Sequence, residues 1–99
     1  MRVRLTTAAE NDLADIGDFI ARDNPVRAES FVEELLDRCE ALGQHPERHP
    51  IHISRRGRGL RRCAYRRYLI FYVALPKEVE IVRVIHSARD YMRLLFPDD

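Results

Sequence analysis

The chain has 99 residues, 45% hydrophobic, and its 17 Lys and Arg nearly balance 16 Asp and Glu, for a net charge of +1. A chain of that length makes one domain and buries roughly two-thirds of its unfolded surface, which removes the need for a metal or disulfide staple. Its two cysteines fit no metal spacing and no secreted framework. There is no signal peptide and no apolar run of membrane-spanning length. The expectation is a soluble, cytoplasmic protein without cofactor, metal site or membrane partner.

The small net charge conceals an asymmetry. Residues 1–50 carry six Arg against eleven Asp and Glu, a balance of −5, whereas residues 51–99 carry ten Arg and one Lys against five acids, a balance of +6. Acidic and basic halves neutralise each other in part. Exposed pairs contribute little each, so the basic cluster is expected to face a partner.

In chain order, Val3-Arg4-Leu5-Thr6 alternates apolar and polar, which predicts a strand at about residues 2–6. Thr7 to Glu10 matches a capping box opening a helix that buries Ala9, Leu13, Ile16 and Ile20, with Glu10, Asp12, Asp15 and Asp18 on its wet side. Asn24-Pro25 breaks that helix and starts another, as N-cap and first helical residue. The second helix carries Ala28, Phe31, Leu35, Cys39 (or Arg38) and Leu42 on one stripe, widened by Val32 and Leu36, and ends at Gly43 as C′ residue. So short a connector makes the two an antiparallel helical hairpin. Cys39 on the helix and Cys63 in a later strand read as small buried hydrophobes.

Residues 44–58 have two prolines, three histidines and no clean period, and read as a loop. His45, His49 and His52 have helical spacing, but Pro46 and Pro50 forbid the helix and no further ligand completes a metal site. A strand is expected near 59–65. Tyr68–Val73 and Val79–Ile85 are β-branched and aromatic runs separated by a short proline-containing turn, hence a hairpin at the centre of the sheet. Arg89 to Phe96 forms a last helical turn whose apolar side docks, and residues 97–99 fray.

Any chemistry resides in the basic stretch. Arg55, Arg56, Arg58, Arg61, Arg62, Arg66 and Arg67 fall within thirteen residues, with Tyr65 and Tyr68 interleaved. Guanidinium forks suit phosphates and carboxylates, and aromatic faces suit unstacked bases, so RNA, DNA and an acidic protein surface all fit. Residues two apart in a strand share a face, so Arg61 and Arg62 point opposite ways and only part of the cluster makes one site.

Gly59-Leu60-Arg61-Arg62, Arg67-Tyr68-Leu69-Ile70-Phe71-Tyr72 and Val79-Glu80-Ile81-Val82-Arg83-Val84-Ile85-His86-Ser87-Ala88-Arg89-Asp90 resemble the C-terminal half of the RelE/ParE toxin superfamily, closest to its ParE-like branch. The early strand, the helix with Asp12-Leu13 and Ile16, and Asn24-Pro25 before Phe31, Leu35 and Cys39 extend the likeness over nearly the whole chain. Residues 44–58 depart from it: a His- and Arg-rich insert stands where a glycine-containing turn is expected.

The resemblance implies an α+β fold: an N-terminal strand, then an antiparallel helical hairpin packed on a mainly antiparallel sheet (β-α-α-β-β-β), with a short C-terminal helical turn. It also implies the toxin of a type II toxin–antitoxin module, held by a cognate antitoxin whose acidic amphipathic segment covers the helices and the basic sheet. ParE-like members bind and poison DNA gyrase; RelE-like members cut messenger RNA on the ribosome. A third alternative is a toxin that has lost activity. Cutting RNA needs a base, an acid and a cation for the phosphate. The alternative catalytic set is Arg61, Arg83, His86, Arg89 and Tyr91, each with a structural role open to it. Lys77 is the only lysine, so the lysine-rich set of the RNA-cutting branch is missing, which favours the non-catalytic branch. The residues assigned to target or partner binding are Arg58, Arg61, Arg62, Arg66, Arg67, Arg83, Arg89 and Tyr91.

Overall fold

The computed structural model describes residues 1–98; the terminal Asp99, part of the expected frayed end, lies outside them. In chain order the elements are β1 (Arg2–Leu5), α1 (Thr7–Ala21), α2 (Pro25–Ala41), β2 (Ile51–Arg55), β3 (Arg58–Tyr65), β4 (Tyr68–Ala74), β5 (Glu78–His86) and α3 (Tyr91–Leu95). One sheet holds all the strands in the order β1-β5-β4-β3-β2, with β1 parallel to β5 and the other pairs antiparallel. The α+β architecture expected from the sequence is therefore present, with one strand added.

That strand corrects the loop reading of residues 44–58. Ser54 pairs with Gly59 and Arg55 with Arg58, across a two-residue turn in which Arg56 (φ 52°) and Gly57 (φ 77°) are both left-handed. Two consecutive positive φ values give a primed turn, whose twist matches that of the flanking strands. Glycine at the second position removes half of the steric cost.

Two apolar clusters sandwich the sheet. On the face under α1 and α2, Ala9, Leu13, Ile16, Phe31, Leu35 and Cys39 pack on Cys63, Ile70, Tyr72, Val79, Ile81 and Val84. The opposite face gathers Leu60, Leu69, Phe71, Val73 and Ile85 under Tyr91, Leu94, Leu95 and Phe96 of the tail. The short C-terminal helix thus docks by its apolar side, as expected. Burial holds the Cys39 thiol up at about 12, so it stays protonated and inert. Leu13, Ala14 and Gly17 of α1 and Val32 and Leu36 of α2 border one groove between the helices, and a Cβ on Gly17 would stand 3.3 Å from a Val32 methyl.

Three local readings change. The cap of α1 is Thr6, not Thr7: its Oγ1 accepts from Ala9 N at 3.0 Å and donates to Val82 O at 2.8 Å. Thr6 N also donates to Ile81 O, so the chain leaves β5 one residue earlier than the capping-box register supposed. Asp12 is not on the wet side. Beyond Leu5, β1 no longer covers the edge of β5, and Asp12 Oδ2 accepts the free Val84 N–H there at 2.9 Å. Gly43 follows α2 as expected but without a left-handed φ. Its need is space: a Cβ would stand 2.3 Å from Met1 O and 2.9 Å from a Val3 methyl.

Midway along α2, Glu34 accepts from Arg27 of the first turn and from the Tyr65 hydroxyl, ties that hold its carboxyl down at about 2. Its folded pKa lies below the ordinary 4.5, so the stabilisation is complete above that value and drains away as pH falls towards 2. Urea midpoints measured over that window are expected to fall more steeply for the wild type than for Glu34→Gln. Parallel curves would assign the acid sensitivity elsewhere.

Candidate functional site

The strand alternation of β3 decides where its arginines go. Arg58, Leu60 and Arg62 share the face covered by α3, whereas Arg61, Cys63 and Tyr65 share the face under the helices. The basic stretch therefore divides between two sides of the sheet.

Each residue named from the sequence has a definite environment. Arg58 Nη2 donates to Glu80 Oε1 at 2.6 Å, and Arg4 bonds the same carboxylate from β1. Burial pushes the Glu80 carboxyl up, yet the Arg4 and Arg58 bonds outweigh it and leave it below its usual range. Arg61 Nη1 donates to His49 O at 2.6 Å and Glu47 O at 3.4 Å, clamping the segment before β2. Arg66, at φ 54° in the β3–β4 turn, lies beside the Tyr65 ring, and Arg67 of the same turn accepts Ser87 N on its carbonyl.

Arg83 takes the most committed position. A register shift opposite Phe71 and Tyr72 leaves Val82 as the extra residue of β5. At this bulge Arg83 reaches across the strand edge, donating twice to Asp12 at 2.8 Å and once to Leu94 O at 3.2 Å. The Asp12 bonds raise its pKa further above the ordinary arginine value. One side chain thus joins α1, β5 and α3. His86 Nδ1 accepts Ala88 N at 3.0 Å, and its ring stands edge-on to Tyr68. With Arg89 it lines a cleft against Asp12, Asp15 and Asp18 of α1.

Sequence reasoning missed one constellation. His52, weighed only as a loop or metal-chelating histidine, projects from β2 to the α3 face. Its Nε2 stands 3.1 Å from Arg62 Nη1 and 3.2 Å from Tyr91 OH. A guanidinium only donates, so Nε2 is the acceptor and the ring proton sits on Nδ1. The Tyr91 ring rests 5.1 Å from that of Phe71, which fixes the phenol over the strand. Here an imidazole, a phenol and a guanidinium share one half-exposed patch, a set able to hold a phosphate or move a proton. The available signal was the Arg56-Gly57 turn, which makes 51–55 a strand and sets His52 opposite the Arg62 side of β3. Among the described residues no group of three or more His, Cys, Asp or Glu is placed to hold a metal ion, and no helix is long and apolar enough to cross a membrane.

These features define a class: a small α+β domain with a helical hairpin on one face of a mixed sheet and a basic–aromatic patch on the other. A family described as the ParE toxin of the type II toxin–antitoxin system parDE matches residues 3–91, and the chain belongs to that family. Among solved structures it is similar to a chain described as the chromosomal ParDE TA system from P. aeruginosa, with a TM-score of 0.74 and 21% identity. That match covers 87% of this chain and 95% of the other. At that identity the likeness speaks for the fold. None of the curated proteins compared with the sequence matches it.

Proposed function

We propose that the chain is the toxin of a cytoplasmic toxin–antitoxin pair, silenced by its own antitoxin and acting by binding and inhibiting DNA gyrase. Family membership supports the first half. The second half rests on one observation: the acid, base and cation candidates named from the sequence do not converge. Arg61 and Arg83 are occupied by backbone carbonyls and Asp12, while His86 and Arg89 lie in a cleft lined by α1. A binding poison needs only a shaped, charged surface, whereas a nuclease needs those groups around one phosphate. The antitoxin reading draws on the outer groove of the helical hairpin. Leu13, Ala14, Gly17, Val32 and Leu36 line it, and Phe19 and Val26 stand 62% and 80% exposed. Such an unpaired apolar stripe suits an amphipathic segment that orders on binding.

RNA cleavage is the second reading, favoured by the His52–Arg62–Tyr91 patch. One preparation assayed twice separates the two. The expected result is inhibited gyrase supercoiling, relieved by the antitoxin, with messenger RNA on translating ribosomes left intact. Cleavage that disappears in folded His52→Ala or Tyr91→Phe protein would overturn the gyrase reading.

A further inference from the structure

A pocket of about 400 Å³ opens at the C-terminal end of α2, lined by Arg38, Ala41, Leu42, His45, Arg48 and His49. Four of its six lining residues are basic and none is acidic. Among the described residues neither Arg38 nor Arg48 forms an ion pair. Arg38 lies over the Tyr65 ring at 5.1 Å, which leaves its fork directed by stacking rather than by a carboxylate. These cations are not needed to cap the helix. The carbonyls of Cys39, Glu40 and Ala41 already accept from the N–H groups of Leu42, Gly43 and Gln44.

The wall formed by residues 45–49 is braced from three sides. Arg61 bonds the carbonyls of Glu47 and His49, Tyr72 OH donates to Pro46 O at 2.9 Å, and Arg48 N donates to His45 O at 3.1 Å. Burial, together with the charges of Arg48 and Arg38, draws the His49 imidazole below its ordinary range, as expected where positive potential is pooled. A pre-shaped concavity with two imidazoles and two guanidinium forks that meet no carboxylate among the described residues matches an anion with several oxygens.

We propose that this pocket is a phosphate-binding site, taking inorganic phosphates or the phosphate tail of a nucleotide-sized ligand, on the side of the sheet away from the His52–Tyr91 patch. Arg48 and Arg38 supply the forks, the histidines supply further donors, and Leu42 forms the floor. Isothermal titration of the full chain with pyrophosphate and separately with ADP tests it. One saturable site is expected, weakened about tenfold or more in Arg48→Ala and in Arg38→Ala, as for the loss of a charge-assisted bond. Arg2→Ala, which removes an equal charge from β1, is expected to change nothing. Tighter ADP binding identifies a nucleotide ligand, and equal affinity identifies the bare phosphate. The melting temperature should also rise with pyrophosphate in the wild type and not in Arg48→Ala. Arg48 is exposed and its side chain forms no hydrogen bond or ion pair among the described residues, so its loss does not threaten folding and this variant decides the matter. No saturable binding at millimolar pyrophosphate, or equal weakening by Arg2→Ala, would overturn the site.

Discussion

Asp12→Ala is expected to lower the unfolding free energy by about 2–4 kcal/mol, the cost of leaving a half-buried partner charge and a backbone donor unmatched. Asp12 and Arg83 have side chains only 12% and 21% exposed, so water replaces the lost bonds poorly. Asp12 also satisfies Val84 N where β5 has no neighbouring strand, so two structural debts share one carboxylate. For a domain of this size the loss corresponds to a drop of about 10 °C or more in melting temperature. Asp12→Asn should fall between, since its amide oxygen still accepts Val84 N–H but meets Arg83 without charge. Urea denaturation of the three proteins checks the order. A loss below about 1 kcal/mol in the alanine variant would mean that solvent already shares these bonds.

Phe71→Ala should destabilise by about 3–5 kcal/mol, the range for emptying a fully buried aromatic site. Phe71 is wholly buried at the centre of the second cluster and carries the Tyr91 ring on its face. Total stability of a small domain is only about 5–15 kcal/mol, so the variant should sit near the edge of folding. Its specific mark is release of α3: trypsin should cut at Arg89 and Arg93 in Phe71→Ala well before it cuts the wild type. Phe71→Leu, closer in volume, should lose about 1.5 kcal/mol or less and keep the tail docked. Unchanged cleavage at those arginines in Phe71→Ala would show that Leu94, Leu95 and Phe96 hold the tail unaided.

Most of this architecture was legible from residues that obey one dominant force. The stripe Ala28, Phe31, Leu35 and Cys39, the run Leu69–Val73, and Val79, Ile81, Val84 and Ile85 are buried because their period leaves no other choice. Edges were harder to read. Strand β2 is short, lies at the rim and pairs with a register irregularity between Ile51 and Ile53, so its alternation is faint beside Pro50 and the histidines. The turn residues Arg56-Gly57 were the better guide. Asp12 looked like a solvated helix acid because local pattern cannot reveal that β1 stops short and leaves Val84 N–H exposed beside it. The site was less legible than the fold for the same reason. Arginine spacing gives positions along a strand, whereas the partners of Arg58, Arg61 and Arg83 come from β5, the 44–50 segment and α1. His52, Arg62 and Tyr91 lie on three elements, and only tertiary structure unites them.

The parallel pairing of β1 with β5 sets Arg2 beside Glu78 and Leu5 beside Ile81. On a growing chain the first strand therefore waits, unmatched, until almost everything behind it has been synthesised. Contacts between residues so far apart close late and slowly. A nascent copy therefore has no finished sheet until β5 has left the ribosome.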